Sequence, residues 1–151
     1  MFARSFAAIA AALAIFAAAT SLAPAGETPS PDGARVYFAN IADGETVTSP
    51  MTITFGLDGM AVAPAGTEMA NSGHHHLLID RAPFGEGPDG ADELAYPLPA
   101  DENHLHFGKG QTEVTLELAP GPHTLQLVLG DLNHVAHDPP VVSEVITITV
   151  Q

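Results

Sequence analysis

Apolar and polar residues alternate along several short stretches of this chain, which is the pattern of strands with one buried face. From Met51 to Leu57 every second residue is apolar, and Thr52 and Thr54 lie between them. The strands predicted in this way cover residues 35–41, 46–48, 51–57, 73–80, 113–118, 123–129 and 141–150. Turn residues separate these strands, and no convincing helix follows residue 25. The pattern predicts an all-β fold, an immunoglobulin-like antiparallel β-sandwich of about seven strands.

The first residues of the chain have the composition of a targeting segment. Arg4 precedes an apolar run over residues 6–19, and Ala23-Pro24-Ala25 fits a cleavage site, with cleavage after Ala19 as the alternative. The run is shorter than the roughly 20 residues that span a bilayer, which disfavours an uncleaved anchor. We therefore predict a signal peptide helix over residues 1–25, a flexible linker over 26–33 and the sandwich domain over 34–151. The expected location is periplasmic or secreted.

Charge and cysteine content narrow the function further. The chain has 18 acidic and 4 basic residues, a formal net charge of −14, and no cysteine. Disulfides and thiolate metal sites are thereby excluded, and the lack of thiols suits an oxidising compartment. An acidic surface repels nucleic acid and anionic lipid and favours cations. We expect neither a nucleic-acid partner nor a membrane partner after removal of the signal peptide.

Three consecutive histidines open the strand predicted over residues 73–80. His74, His75 and His76 run directly into Leu77, at the expected junction of core and solvent. Successive strand side chains point to opposite faces, so His74 and His76 share one face and His75 takes the other. Two imidazoles at this spacing can bind one metal ion without distorting the backbone.

Two further histidine pairs lie in or beside loops, which cluster at the ends of a sandwich. They are His104 with His106 and His134 with His137. If their loops share one end with the first pair, several imidazoles meet there and suit Cu(II), Zn(II) or Ni(II). The predicted metal ligands are His74, His76, His104, His106 and His134. Thioethers in the preceding loop, at Met60 and Met69, favour copper over zinc.

Structural explanations compete with metal binding for individual residues. The histidines at 74–76 can bond loop carbonyls, and His123 follows a Pro-Gly-Pro turn that it is expected to pack against or bond. Met60 and Met69 can anchor their loop, and His137 can be exposed. Lys109 lies between two glycines, but the Walker spacing and the following helix are missing. We expect it to pair with a carboxylate such as Asp80 or Glu113.

Residues 81–103 form a long Pro-, Gly- and Asp-rich segment without periodicity, which is typical of a functional lid or a mobile insertion. There is no Ser-His-Asp signature, no His-Glu-x-x-His helix and no obvious nucleophile. We therefore predict that the protein is not an enzyme. A metallo-hydrolase with Asp80, Glu68 or Asp101 as the base is the last-ranked alternative.

Three motifs resemble an uncharacterised family of small exported bacterial domains, domain of unknown function 4399. They are Gly73-His-His-His-Leu-Leu-Ile-Asp80, His104-Leu-His-Phe-Gly-Lys-Gly-Gln-Thr-Glu113, and His123-Thr-Leu-Gln-Leu-Val-Leu-Gly-Asp131 followed by His134, His137, Pro139 and Pro140. The resemblance spans Val36 to Val150. It implies export but no mechanism, so the functional hypotheses rest on the residues.

Two functions follow from these observations. The first is an exported metal-binding domain that uses a histidine cluster, with copper favoured, for storage, delivery or tolerance. Its affinity is expected to weaken as the pH falls through about 6.5, where free imidazole is protonated. The second is a non-catalytic interaction domain whose histidines are structural and which binds another exported protein or a polymer.

Overall fold

A computed structural model describes residues 28–151 of the chain. The predicted signal peptide, residues 1–25, lies outside the described residues. Within them there are nine strands and one short helix. In chain order these are β1 (Arg35–Phe38), β2 (Thr46–Val47), β3 (Met51–Asp58), β4 (Ala61–Val62), β5 (Ser72–Ile79), α1 (Gly90–Ala95), β6 (His104–His106), β7 (Glu113–Leu116), β8 (Gly121–Gly130) and β9 (Ile146–Val150).

The strands form two sheets that enclose a common core. One sheet has the order β1-β3-β7, and the other has the order β2-β9-β8-β5-β4, with β6 also paired to β5. Most pairs are antiparallel, and the two-residue strands β2 and β4 pair in parallel with β9 and β5. The predicted all-β sandwich is confirmed.

Alternating positions of both sheets fill the space between them. Val36 and Ile53 from the three-stranded sheet cluster with Leu77, Leu127 and Ile148 from the larger sheet. Each of these five side chains is at most 1% exposed. Burial of an aliphatic side chain of this size contributes about 1.5–3 kcal/mol, so this interior dominates the stability of the sandwich.

The opposite face of the larger sheet is covered by residues 81–103, named here the covering segment. Its Leu98 joins Leu78 and Val128 in a second apolar cluster. The buried Glu93 carboxylate accepts hydrogen bonds from Arg81 Nη2 at 2.9 Å and from Gly85 N at 3.0 Å. The Glu93 hydrogen bonds hold the segment together, and the packing of Leu98 attaches it to the sheet.

The prediction that no helix follows the signal peptide is wrong, because the covering segment contains α1. Six residues are too few to produce a helical period in the sequence, and the buried contacts of Glu93 supply much of the order. Strands β4 and β6 were also missed, since both consist of a few residues that pair with β5. No helix in the described part of the chain is long and apolar enough to cross a membrane.

The first described residues contact the domain. Asp138 N donates to Thr28 O at 2.9 Å, and Ser30 N donates to Asp138 O at 3.3 Å. Thr28 Oγ1 also donates to Asp131 Oδ2 at 2.6 Å. These hydrogen bonds extend the folded domain to residue 28, inside the predicted linker.

Candidate metal centre

All three histidines of β5 are completely buried, with no exposed surface. They occupy the third to fifth of the eight strand positions. The expectation that they lie at the mouth of the strand is therefore wrong. Strand β5 is covered on both faces and has neighbours along both edges, so positions within it lose contact with solvent.

The predicted alternation of the three histidines is confirmed. His75 faces the space between the sheets, where its ring centroid lies 5.2 Å from that of Phe55. His74 and His76 point to the opposite face of the sheet, beneath the covering segment, and their ring centroids are 4.9 Å apart. A period of two along β5 thus separates one core histidine from two neighbouring site histidines.

Strand β6 adds two histidines to the same face. Its antiparallel register places His106 opposite His76 and His104 opposite Leu78. Directly paired residues present their side chains to the same side of a sheet, so both imidazoles of β6 join the face that carries His76. Leu105, between them, packs against the core of the sandwich.

His134 comes from the loop that follows β8. The buried Asp131 carboxylate shapes this loop, because its Oδ1 accepts hydrogen bonds from Asn133 N at 2.8 Å and Val135 N at 2.9 Å. His134 adopts a φ of 67° in the left-handed region, where histidine is one of the enriched non-glycine residues. Leu98 N of the covering segment donates to His134 O at 2.7 Å and holds the loop from the other side.

Four of the histidines converge. One ring nitrogen from each of His74, His76, His106 and His134 lies within 4.8 Å of the others, and we call this group the histidine cluster. His74 Nε2 is 3.1 Å from His76 Nε2 and 3.2 Å from His134 Nδ1. Two nitrogens that each lie about 2.0–2.1 Å from one metal ion are roughly 3–4 Å apart. The spacing of the cluster therefore suits a single ion after small side-chain adjustments.

Two glycines leave room for these rings. Gly130 pairs with His74 across β5 and β8, and a Cβ placed on it would come within 2.9 Å of His76 Nε2. A Cβ on Gly108 would overlap the ring of His106. Any larger residue at either position requires the adjacent imidazole to move.

Burial favours the neutral form of His74, His76 and His106. Desolvation, followed by the neighbouring imidazoles, lowers the pKa of His76 to about 2 and that of His74 to about 4. Burial also lowers the pKa of His106. Neutral imidazole is the form that binds metals, so these nitrogens stay available well below the usual pKa of histidine. The pH at which protons compete with a metal at His74 moves from the expected 6.5 to near 4.

The nitrogen contacts exceed what hydrogen bonding can satisfy. In a neutral imidazole each nitrogen carries either one proton or one lone pair. His74 Nε2 nevertheless faces two other ring nitrogens at 3.1 and 3.2 Å. His74 Nδ1 and His106 Nε2 are buried without a hydrogen-bond partner. A cation bound to the facing lone pairs would account for the close contacts at His74 Nε2, and the all-nitrogen donor set fits a borderline transition metal.

The remaining predicted participants lie elsewhere. His104 is outside the histidine cluster, and its Nε2 lies 3.1 Å from His76 Nδ1. Both ring nitrogens of His137 face backbone carbonyls at 3.3 Å. Met60 packs against the core and Met69 is 45% exposed, so neither has the expected place at the site.

His123 has the structural role that the sequence suggested. Its Nε2 lies 2.8 Å from Ala119 O, in the turn before β8, and its Nδ1 lies 2.7 Å from Asp80 Oδ2. This pairing also corrects the expectation for Lys109, because Asp80 pairs with His123. Among the described residues no ion pair involves Lys109.

The histidine cluster lies near the end of β8, because His74 pairs with Gly130, the last residue of that strand. The histidine cluster lies on the outer face of the larger sheet, between the covering segment and the loop after β8. Strand side chains project perpendicular to the sheet. The histidines of β5 and β6 therefore converge on a face of the sheet, although the loops that adjoin these strands lie at its ends. The central expectation was that separate chain segments bring their histidines together. This convergence is observed for three segments, which are β5, β6 and the loop after β8.

Fold and site together define an all-β sandwich with a four-histidine cluster on one outer sheet face, in which two histidines are buried and two are half-buried. The family model for a domain of unknown function, DUF4399, matches residues 53–151, and the chain belongs to this family. The match includes every residue of the histidine cluster. A search of curated proteins finds no match.

Proposed function

We propose that this domain binds one divalent transition-metal ion through His74, His76, His106 and His134. The convergence of four ring nitrogens within 4.8 Å, delivered by β5, β6 and the loop after β8, is the observation that supports this proposal. The lowered pKa of His74 and of His76 supports it further, because a neutral imidazole binds a metal without first releasing an extra proton.

Copper is the metal that we favour, in the Cu(II) state. Imidazole nitrogen suits Cu(II) and Zn(II), and the general order of affinity places Cu(II) above Zn(II). The thioethers that favoured Cu(I) are not in the cluster, since Met60 packs against the core and Met69 is exposed. The buried carboxylate of Asp131 interacts electrostatically with His74 and would offset part of the charge of the ion.

Storage, delivery or tolerance in an exported compartment is the role that we infer. Four protein ligands make a closed site, whereas catalytic sites of this kind retain an open position for water or substrate. The carboxylates considered as bases have other surroundings: Asp80 pairs with His123, Arg81 approaches Asp101, and Glu68 is exposed. These observations favour a non-enzymatic role.

Calorimetric titration of the purified protein with Cu(II) and with Zn(II) tests the proposal. We expect one ion per chain and loss of tight binding in a His74→Ala/His76→Ala variant. A His123→Gln variant is the matched control, because His123 lies outside the cluster and should leave the affinity unchanged. Equal affinity in the wild type and in the double variant would contradict the proposal.

An interaction domain remains the second candidate, and one surface feature favours it. The covering segment exposes two apolar side chains, Leu94 at 44% and Tyr96 at 62%. Exposed aromatic residues are common anchors of protein interfaces. If this candidate is correct, a Leu94→Ala/Tyr96→Ala variant loses a partner that co-purifies with the exported wild type, while metal content stays the same. Retention of that partner would argue against it.

A further inference from the structure

We propose that His104 is a positioning residue, which accepts a hydrogen bond from His76 and thereby directs His76 Nε2 to the metal. This inference rests on the proposed function, since it concerns the orientation of one proposed ligand. It also changes the role expected for His104, which the spacing of residues 104 and 106 had predicted to be a ligand.

The geometry around His76 separates its two nitrogens. Nδ1 lies 3.1 Å from His104 Nε2, and Nε2 lies 3.1 Å from His74 Nε2, inside the histidine cluster. The rings of His76 and His104 are nearly perpendicular, at 84°, with centroids 5.2 Å apart. One nitrogen of His76 therefore faces the cluster, and the other faces His104.

Proton counting assigns the direction of the hydrogen bond. Neutral imidazole has one N–H and one lone pair, and a metal ion requires the lone pair. If Nε2 of His76 binds the metal, the proton resides on Nδ1 and is donated to His104 Nε2. His104 then carries its own proton on Nδ1. Metal-binding histidines commonly donate the second N–H to such a partner, which sets the tautomer and the ring orientation.

His104 is held firmly enough for this role. It is completely buried, and its backbone pairs with Asp101 through two hydrogen bonds of 3.0 and 3.3 Å. The register of β6 places it opposite Leu78, two residues beyond the pairing of His76 with His106. His106 therefore lies beside the metal position, and His104 lies behind His76.

Substitution of His104 tests the proposal through metal affinity. In His104→Leu, the N–H at His76 Nδ1 loses its acceptor. We expect Zn(II) and Cu(II) to bind about 10–100-fold more weakly as a result. In His104→Gln the side-chain carbonyl can accept from His76 Nδ1, so we expect most of the affinity to return. The matched control is His75→Leu, which removes an equally buried histidine from the opposite face and should leave the affinity unchanged.

Nitrogen-15 NMR of the Zn(II)-loaded wild type provides a readout that needs no variant to fold. We expect His76 with Nδ1 protonated and Nε2 bound to zinc, and His104 Nε2 unprotonated and unbound. Zinc on His104 Nε2, a proton on that atom, or equal affinity of the wild type and His104→Leu would overturn the role of His104 while metal binding stands. A wild type that binds neither ion would overturn both the proposed function and this inference.

Discussion

At the scale of single residues, small and polar side chains next to the histidines are as important as the histidines themselves. Asp131 binds two backbone amides and so determines the turn that presents His134. Gly130 supplies space, because it pairs with His74 and leaves His76 unobstructed. Neither residue is recognisable from its type as part of the candidate site.

Replacement of Gly130 by alanine tests the need for that space. The added methyl group would lie about 2.9 Å from His76 Nε2. We expect the imidazole to turn away and the affinity for Cu(II) or Zn(II) to fall by about tenfold or more, as for other losses of ligand orientation. Calorimetric titration measures the affinity, and thermal unfolding of the metal-free protein is the control for stability. Unchanged affinity would show that His76 tolerates the displacement.

At the scale of elements, the covering segment closes the outer face of the larger sheet and contacts the loop that carries His134. Its organisation depends on Glu93, which is 6% exposed and binds both Arg81 and Gly85. Phe84 N donates to Gln126 Oε1 of β8 at 2.7 Å, and this hydrogen bond links the segment to the sheet. A further hydrogen bond, from Leu98 N to His134 O at 2.7 Å, links the segment to the loop that carries His134.

Replacement of Glu93 by alanine should loosen the covering segment. It leaves Arg81 without its closest partner and removes the acceptor for Gly85 N, a loss of about 1–3 kcal/mol in unfolding free energy. We also expect faster hydrogen exchange at Leu98 N, because the segment that carries it is less well anchored. Chemical denaturation and hydrogen exchange measure these two effects.

The control for this variant is Glu86→Ala, which removes an exposed carboxylate from the same segment. It should change the unfolding free energy by less than about 0.5 kcal/mol, as is usual for surface substitutions. Similar exchange at Leu98 N in Glu93→Ala and in the wild type would contradict the anchoring role of Glu93.

At the scale of the whole molecule, the sandwich places titratable side chains in its interior. Burial lowers the pKa of His75, in the core between the sheets, to about 4. It does the same for His104 on the outer face, where the nearby Arg81 contributes in the same direction. The fold therefore keeps histidines neutral on both faces of one sheet, at a cost that depends on pH.

The metal-free protein should lose stability as the medium becomes acidic. Histidines in the unfolded chain titrate near 6.5, whereas His74, His75 and His104 in the folded chain titrate near 4. Between these values the unfolded chain binds more protons, so stability is complete above about pH 6.5 and decreases towards pH 4. Each additional proton on the unfolded chain contributes about 1.4 kcal/mol per pH unit.

Urea unfolding at pH 7.5, 6 and 5 in the presence of a chelator measures this dependence. His75→Leu removes one buried neutral histidine without touching the cluster, so its stability should decline less steeply with falling pH. A wild type equally stable at all three values would show that the buried histidines do not control the pH dependence.

Much of this architecture follows from local patterns. The alternation from Met51 to Leu57 predicts β3 and its buried face, and the spacing of His74 and His76 predicts that they share a face. The motifs around the histidines were sufficient to recognise the family. These features depend on periods of two residues and on short motifs, which are written along the chain itself.

Other features depend on which segments become neighbours in the folded chain. The register of β6 against β5 brings His106 into the cluster and leaves His104 behind His76, although both belong to the same short motif. The turn organised by Asp131 selects His134, and the packing of Leu98 closes the outer face. The sequence by itself determined the longer strands, their faces and a set of candidate ligands that included the four histidines of the cluster. Only the tertiary structure decided which imidazoles meet, because strand pairing and loop closure join residues that no local period relates.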